Sequence, residues 1–148
     1  MPLDTSDVVA EEAVEILRSV TIFAPLELAA LERLALALVP VECNAGDTLV
    51  AEGGHGDRYY VIRQGTFEVT VAGEPMRQLG PGEGFGEIAL LRDVPRTATV
   101  AALTQGRLYT LDREHFLDAV QGSPSSAAAA DTLIDMRLGS LRAGLAIV

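Results

Sequence analysis

The chain has 148 residues, 49% of them hydrophobic and 22% charged, with a formal net charge of −10. That length suits one domain with a real core, and the acidic balance argues against duplex nucleic acid, whose binding rests on Lys and Arg neutralising phosphates. A small anionic ligand stays open, because surface charge is screened over about 8 Å at physiological salt and local donors decide.

The opening residues, MPLDTSDVVAEEAVEILR, lack a basic region and a continuous apolar run, so they do not read as a secretory signal. They read instead as a helix. Val9, Ala13, Ile16, Leu17 and Val20 recur at helical spacing between Glu11, Glu12, Glu15 and Arg18. TIFAPLE interrupts it at Pro25. A second stripe follows in Leu28, Leu31, Leu34, Ala35 and Leu38, and Pro40 ends that helix.

From Val39 the period changes. VPVEC, DTLVAEG, RYYVIRQ, TFEVTVA and PMRQLG are short and rich in β-branched or aromatic residues, with turn signals NAGD, EGGHGD, QGT and AGEP between them. Phe67, Val69 and Val71 alternate with Glu68 and Thr70, the pattern of a half-buried strand. RTATVAA and GRLYTLD add another hairpin around TQG. Short strands at this spacing suggest a small sandwich or a jelly-roll barrel. The chain then returns to helix. Asp112 is placed to cap REHFLDAV, and Pro124 can open a last helix with the stripe Ala130, Ile134, Leu138, Leu141 and Leu145. Gly139 and Gly144 weaken its end.

The stretch GPGEGFGEIALLRDVPRTATV, Gly80 to Val100, carries the chemistry. If GEIALL is a short helix, the N–H groups near Gly86 to Ala89 have no intrahelical partner and attract an anion. Glu87 cannot bind a phosphate, but it can accept hydrogen bonds from a sugar hydroxyl. Arg96 supplies a positive charge on a planar fork matched to phosphate oxygens. Thr97 adds a hydroxyl beside it. Each feature alone has a bland explanation: a first-turn Glu that favours the helix dipole, a surface Arg, turn glycines. The combination suits a ligand with one ribose and one negative charge.

Phe85 to Val100, FGEIALLRDVPRTATV, closely resembles the phosphate-binding cassette of the cyclic nucleotide-binding domain family. LRSVTIFAPLELAALERLA resembles that family's N-terminal helical segment, and AGDTLVAEGGHGDRYYVIRQGTFEV its early strands. The resemblance spans about Val14 to Val120. It implies an α+β, mainly β fold: an eight-stranded jelly-roll barrel with N-terminal helices and one or two C-terminal helices. The implied organisation is a helical segment at 1–38, the barrel at 39–112, and C-terminal hinge and lid helices at 113–148. It implies binding of cAMP or cGMP, with cAMP ahead, and no other cofactor. Glu87 would accept the ribose 2′-hydroxyl, Arg96 would pair with the cyclic phosphate, and the backbone of Gly86, Ile88 and Ala89 would complete the cradle beside Phe85. Thr97 sits where the family uses Thr or Ala and bears on the choice of base. Val69 and Leu79 would line the base pocket. The family often caps the base from the last helix, where Leu133, Ile134, Arg137 and Leu138 are candidates. Each of the four reads at least as well as helix surface or an oligomer contact. One departure is visible: Gly54 replaces an Asp in the turn EGGHGD, which shapes the barrel and is not expected to touch ligand.

The remaining residues read plainly. Cys43 is the sole cysteine and packs as a small apolar side chain. His55 falls in a turn and His115 on a helix surface, and neither has a neighbouring ligand for a metal enzyme of the jelly-roll type. No catalytic residue and no metal ligand is therefore assigned. Arg92 and Asp93 suggest a local surface pair. A Crp-type transcription factor needs a helix-turn-helix, and the 28 residues after Val120 read mostly as one helix. The expected protein is a cytoplasmic, non-enzymatic sensor without a membrane span, with an unidentified effector and a homodimer left open. The rival reading is a barrel of the same type that no longer binds ligand and serves as an interaction module.

Overall fold

The computed structural model describes residues 5–142, with side chains described for 11–139. Helix α1 (Thr5–Ser19) and helix α2 (Leu28–Ala37) precede eight strands: β1 (Val39–Cys43), β2 (Thr48–Val50), β3 (Arg58–Gln64), β4 (Phe67–Val71), β5 (Glu74–Leu79), β6 (Gly84–Phe85), β7 (Thr99–Ala102) and β8 (Gly106–Asp112). A short helix α3 (Glu87–Arg92) lies between β6 and β7, and α4 (Arg113–Gln121) and α5 (Pro124–Arg142) follow the barrel. The strands form two antiparallel sheets, in the orders β1-β8-β3-β6 and β2-β7-β4-β5. This is the expected jelly roll.

The central strands of the first sheet are apolar on both faces. Successive side chains of a strand point to opposite sides, so Tyr60, Ile62 and Leu108 enter the barrel with Phe67, Val69, Leu79, Phe85 and Val100. Tyr59, Val61, Tyr109 and Leu111 face the other way, onto the helices. There Phe116 of α4 stacks on Tyr59 with centroids 4.7 Å apart, and Phe23 meets both rings edge-on at 5.5 and 5.9 Å. Two cores thus share one sheet, and the helical layer is fixed directly to the barrel wall.

The local details follow from residue chemistry. Helix α2 ends before Pro40, which lies in β1, an edge strand with only β8 as a partner, where a missing N–H is tolerated. Asp112 caps α4 as expected, its Oδ1 accepting from the His115 N–H at 2.8 Å. Cys43 is buried in the barrel core, and desolvation pushes its thiol pKa up. DTLVAEG gives a strand of three residues, Thr48–Val50, because the chain turns at Glu52–Gly54. Val9 lies outside the residues with described side chains, as does Leu141, and Gly144 and Leu145 lie outside the described chain.

Candidate functional site

The site forms where the chain leaves the barrel between β6 and β7. Gly86 lies at φ 105 and caps α3. A Cβ there would stand 2.7 Å from Arg96 Nη1 and 3.1 Å from the Arg58 carbonyl oxygen, so glycine alone fits. The turn into α3 leaves the first-turn N–H groups, from Glu87 to Ala89, without intrahelical acceptors. Ile88 and Ala89 are buried beneath it.

Arg96 is held at both ends. Its backbone N–H donates to the Gly54 carbonyl at 2.9 Å, and its carbonyl accepts from the Gly53 N–H at 2.8 Å. Its Nη1 donates to the Gly86 carbonyl at 3.0 Å and its Nη2 to the Arg58 carbonyl at 2.7 Å. Gly56 packs against the same guanidinium, where a Cβ would lie 3.4 Å from its central carbon. The turn EGGHGD therefore does more than shape the barrel: it clamps the main chain of Arg96. Arg96 is 6% exposed and has no carboxylate ion pair among the described residues. Burial lowers its pKa, opposed by the nearby Tyr60, Asp57 and Glu87 groups. An arginine stays charged even so. A buried cation satisfied only by neutral carbonyls is a prepared anion site.

Glu87 is wholly buried. Its Oε1 forms an ion pair with Nη1 of Arg137 on α5, whose Nη2 lies 3.4 Å from the Gly84 carbonyl. Glu87 Oε2 and Arg137 Nε are buried without a hydrogen-bond partner among the described residues. Tyr59 packs close by; burial chiefly, and the Glu87 charge next, push its pKa up, against the opposing pull of Arg137. Two guanidiniums, Arg96 and Arg137, and the Glu87 carboxylate are the buried charges here among the described residues. With Glu87 and Arg137 matched, the positive charge of Arg96 is left over.

The apolar wall of the site is the barrel interior. Phe85 stacks on Tyr60 with centroids 4.9 Å apart and planes at 3°, and Val69 and Leu79 are fully enclosed beside them. Thr97 is half-buried next to Arg96. Residues Phe85, Gly86, Glu87, Ile88, Ala89 and Arg96 thus gather at one end of the barrel, with Val69 and Leu79 inside it.

Helix α5 closes over this end. Ser126 Oγ donates to the Ile22 carbonyl at 2.7 Å, Ala130 and Ile134 are buried, and Arg137 follows on the same face. Leu133 and Leu138 are half-buried. Arg92 and Asp93 do not pair with each other. Asp93, at φ 51, caps the C-terminus of α3, and its carboxylate meets Arg113 of α4 at 3.4 Å, while Arg92 reaches Asp131 of α5 at 3.1 Å. The left-handed turn at Asp93 separates the two charges, and each ties α3 to a different helix. His55 is exposed, and no group of three or more metal-ligating side chains occurs among the described residues.

A jelly roll whose β6–α3 junction is met by a buried arginine, without a carboxylate ion pair among the described residues, and opens on a buried glutamate carries a built anion site at one end of its barrel. Residues 40–123, more than half of the chain, match the cyclic nucleotide-binding domain family, and the chain belongs to it. The chain is 33% identical over 110 residues to a cAMP-dependent protein kinase regulatory subunit of Yarrowia lipolytica, a match covering 72% of this chain and 29% of that protein. The regulatory domain of Toxoplasma gondii PKA, crystallised with cAMP, superposes with a TM-score of 0.75 at 29% identity, over 95% of this chain and 52% of that one. The regulatory subunit of a cAMP-independent protein kinase A from Trypanosoma brucei gives a TM-score of 0.78 at 22% identity, over 95% of this chain and 48% of that one, a likeness of fold. The chain therefore spans less than a third of the curated relative and about half of these structures.

Proposed function

We propose that this chain is a cyclic nucleotide sensor, with cAMP ahead of cGMP, that converts ligand binding into movement of α5. The observation that carries the reading is Arg96: buried, aimed by four main-chain contacts, and without an anionic partner among the described residues. A cyclic phosphate supplies one negative charge for it. The α3 N–H groups add donors, Glu87 accepts from the ribose, and the base meets Val69, Leu79 and Phe85, with Thr97 at the edge. In this reading 39–112 is the sensing barrel, 1–38 its helical support, and 113–148 the hinge and lid. The role is regulatory, not catalytic, and the protein works as a cytoplasmic module. The curated relative is a kinase regulatory subunit, so a kinase catalytic chain is the first effector class to test.

A ligand shifts α5 only by its differential affinity for the two positions of the helix. Melting scans with saturating cAMP, and separately cGMP, test the binding; about 2.7 kcal/mol of stabilisation is expected at a hundredfold excess over Kd. Hydrogen exchange of α5 with and without ligand tests the movement, and equal protection in both states would sink it.

The complete enclosure of Glu87 favours a second reading, a barrel whose site is filled by α5 and which serves as an interaction module. No melting shift with either nucleotide is its expected result.

A further inference from the structure

The helices leave one end of the first sheet's outer face uncovered. Alternation sends Tyr59, Val61, Tyr109 and Leu111 outward, into the core they share with the helices. Beyond Val61 the register of β3 on β8 slips. Ile62 pairs with Leu108 but Gln64 with Arg107, so Arg63 is the extra residue of a bulge. Bulges re-aim side chains, and here the Arg63 guanidinium lies over the Tyr109 ring, 4.5 Å from its centroid. Helix α1 passes alongside. Between it and the strands is a groove of about 550 Å³, lined by Glu12, Glu15, Ile16, Arg63, Arg107 and Tyr109 among others. The barrel interior, with Ile62 and Leu108, is on the other side of the sheet.

Two groups in this groove are unmet. Arg63 Nη2 meets Glu12 Oε2 at 3.5 Å, and Arg107 Nε meets Glu42 Oε1 at 3.4 Å. Glu15 has no ion pair among the described residues, and no Lys or Arg precedes Arg18 in the chain. Three carboxylates thus face two guanidiniums, which leaves one negative charge over. The second group is the phenol of Tyr109. The residue is 3% exposed, and its hydroxyl is buried with no hydrogen-bond partner among the described residues. A buried polar group in that state calls for an explanation.

An arginine side chain answers both. Its charge matches Glu15, and its planar fork of five donors serves a carboxylate and a phenol oxygen together. Arg63 already shows how the groove holds a guanidinium, on an aromatic face and against a carboxylate. Its contact with Glu12 is long and that carboxylate is exposed, so the pair is weak and gives way easily. Glu12, Glu15 and Arg107 at the rim are exposed, which leaves room for a main chain along the opening.

We propose that this groove is a docking site for an arginine-bearing segment of a partner protein. Glu15 takes the charge of the incoming guanidinium, and the Tyr109 hydroxyl accepts one of its N–H groups once Arg63 swings aside. The inference does not depend on the cyclic-nucleotide reading.

The test is an NMR titration of the isotope-labelled full chain, without nucleotide. The probes are an acetylated, amidated pentapeptide, Ala-Ala-Arg-Ala-Ala, and the same peptide with citrulline, the neutral isostere of arginine. Saturable amide shifts confined to residues 12–16, 63–64 and 107–109 are expected with arginine, and none with citrulline. Glu15→Gln should weaken binding about fivefold, and Tyr109→Phe about threefold or more. Glu32→Gln removes an equal charge from the exposed face of α2 and should change nothing. Melting of the free Tyr109→Phe variant is a second check. Its midpoint should not fall, because the hydroxyl has no partner to lose; a fall would show that the hydroxyl already serves the fold and would overturn its role. Shifts scattered over the acidic surface, equal binding of the citrulline peptide, or equal losses in Glu15→Gln and Glu32→Gln would mean non-specific attraction and overturn the proposal. So would an absence of shifts, or tighter binding of a peptide with Glu in place of Arg.

Discussion

The guanidinium of Arg96 donates to the carbonyl of Gly86 at 3.0 Å, so the cation of the site is aimed by the residue that caps the cassette helix. Cation and helix start are one construction. Moving either disturbs the other.

Arg96→Ala removes the unmatched charge, and cAMP affinity should fall at least about tenfold, since a charged hydrogen bond is worth about 1.5–3 kcal/mol. Arg96→Lys should recover little. A single ammonium cannot span the Gly86 and Arg58 carbonyls, which accept from Nη1 and Nη2 at 3.0 and 2.7 Å, and still face a phosphate. Calorimetry of the two variants checks this; wild-type affinity in Arg96→Ala would refute the assigned role.

Gly86→Ala forces a Cβ against Arg96 at a φ of 105. The expected cost is about 1–3 kcal/mol of backbone strain, with ligand affinity falling further because the guanidinium must shift. Denaturant melts and ligand titration together separate the two effects. Gly73, at φ 81 with nothing near its Cβ, is the control: Gly73→Ala should carry strain alone and leave affinity unchanged.

Phe116→Ala should destabilise the fold by about 3–5 kcal/mol. Its ring is fully buried and packs on Tyr59 and Phe23, joining α4, β3 and the segment between α1 and α2. Urea denaturation measures it.

The cap of α4 predicts a pH dependence. His115 Nδ1 lies 2.7 Å from Asp112 Oδ2. Its hydrogen bond and charge interaction with Asp112 raise the His115 pKa above its ordinary 6.5. Asp112 is lowered below 3.8, chiefly by the His115 backbone N–H and then, against desolvation, by the His115 side chain. A raised histidine stabilises fully below its unfolded pKa, and the effect is lost as pH rises through the folded value; a lowered aspartate stabilises above its unfolded pKa and is lost as pH falls. The pair therefore contributes most between about pH 4 and pH 6.5. An NMR titration should show the His115 midpoint fall in Asp112→Asn. Both side chains are more than half exposed, so the stability change is small and screened by salt.

Much of this was legible along the chain. Phe67, Val69 and Val71 alternate with polar neighbours and form β4, and Asp112 caps its helix as its position before REHFLDAV implies. That Gly86, Glu87 and Arg96 lie together was legible because they stand within ten residues of one another. What stayed hidden is long-range. Nothing near Arg137 points to Glu87, since a lone Arg on an amphipathic helix has the same local pattern whether it faces water or a buried carboxylate. Nor did adjacency predict the partners of Arg92 and Asp93, because a single left-handed residue sends the two side chains to different helices. The glycines of EGGHGD were visible, but their hold on the backbone of Arg96 depends on a fold that brings Gly53 and Gly54 beside it.

Calorimetric titration of the wild-type chain with cAMP tests the central claim most directly, with 5′-AMP as the control for phosphate charge without the ring. The account predicts saturable binding of one cAMP per chain, lost in Arg96→Ala. Absence of binding by cAMP and cGMP alike, in a chain shown to be folded, would contradict it.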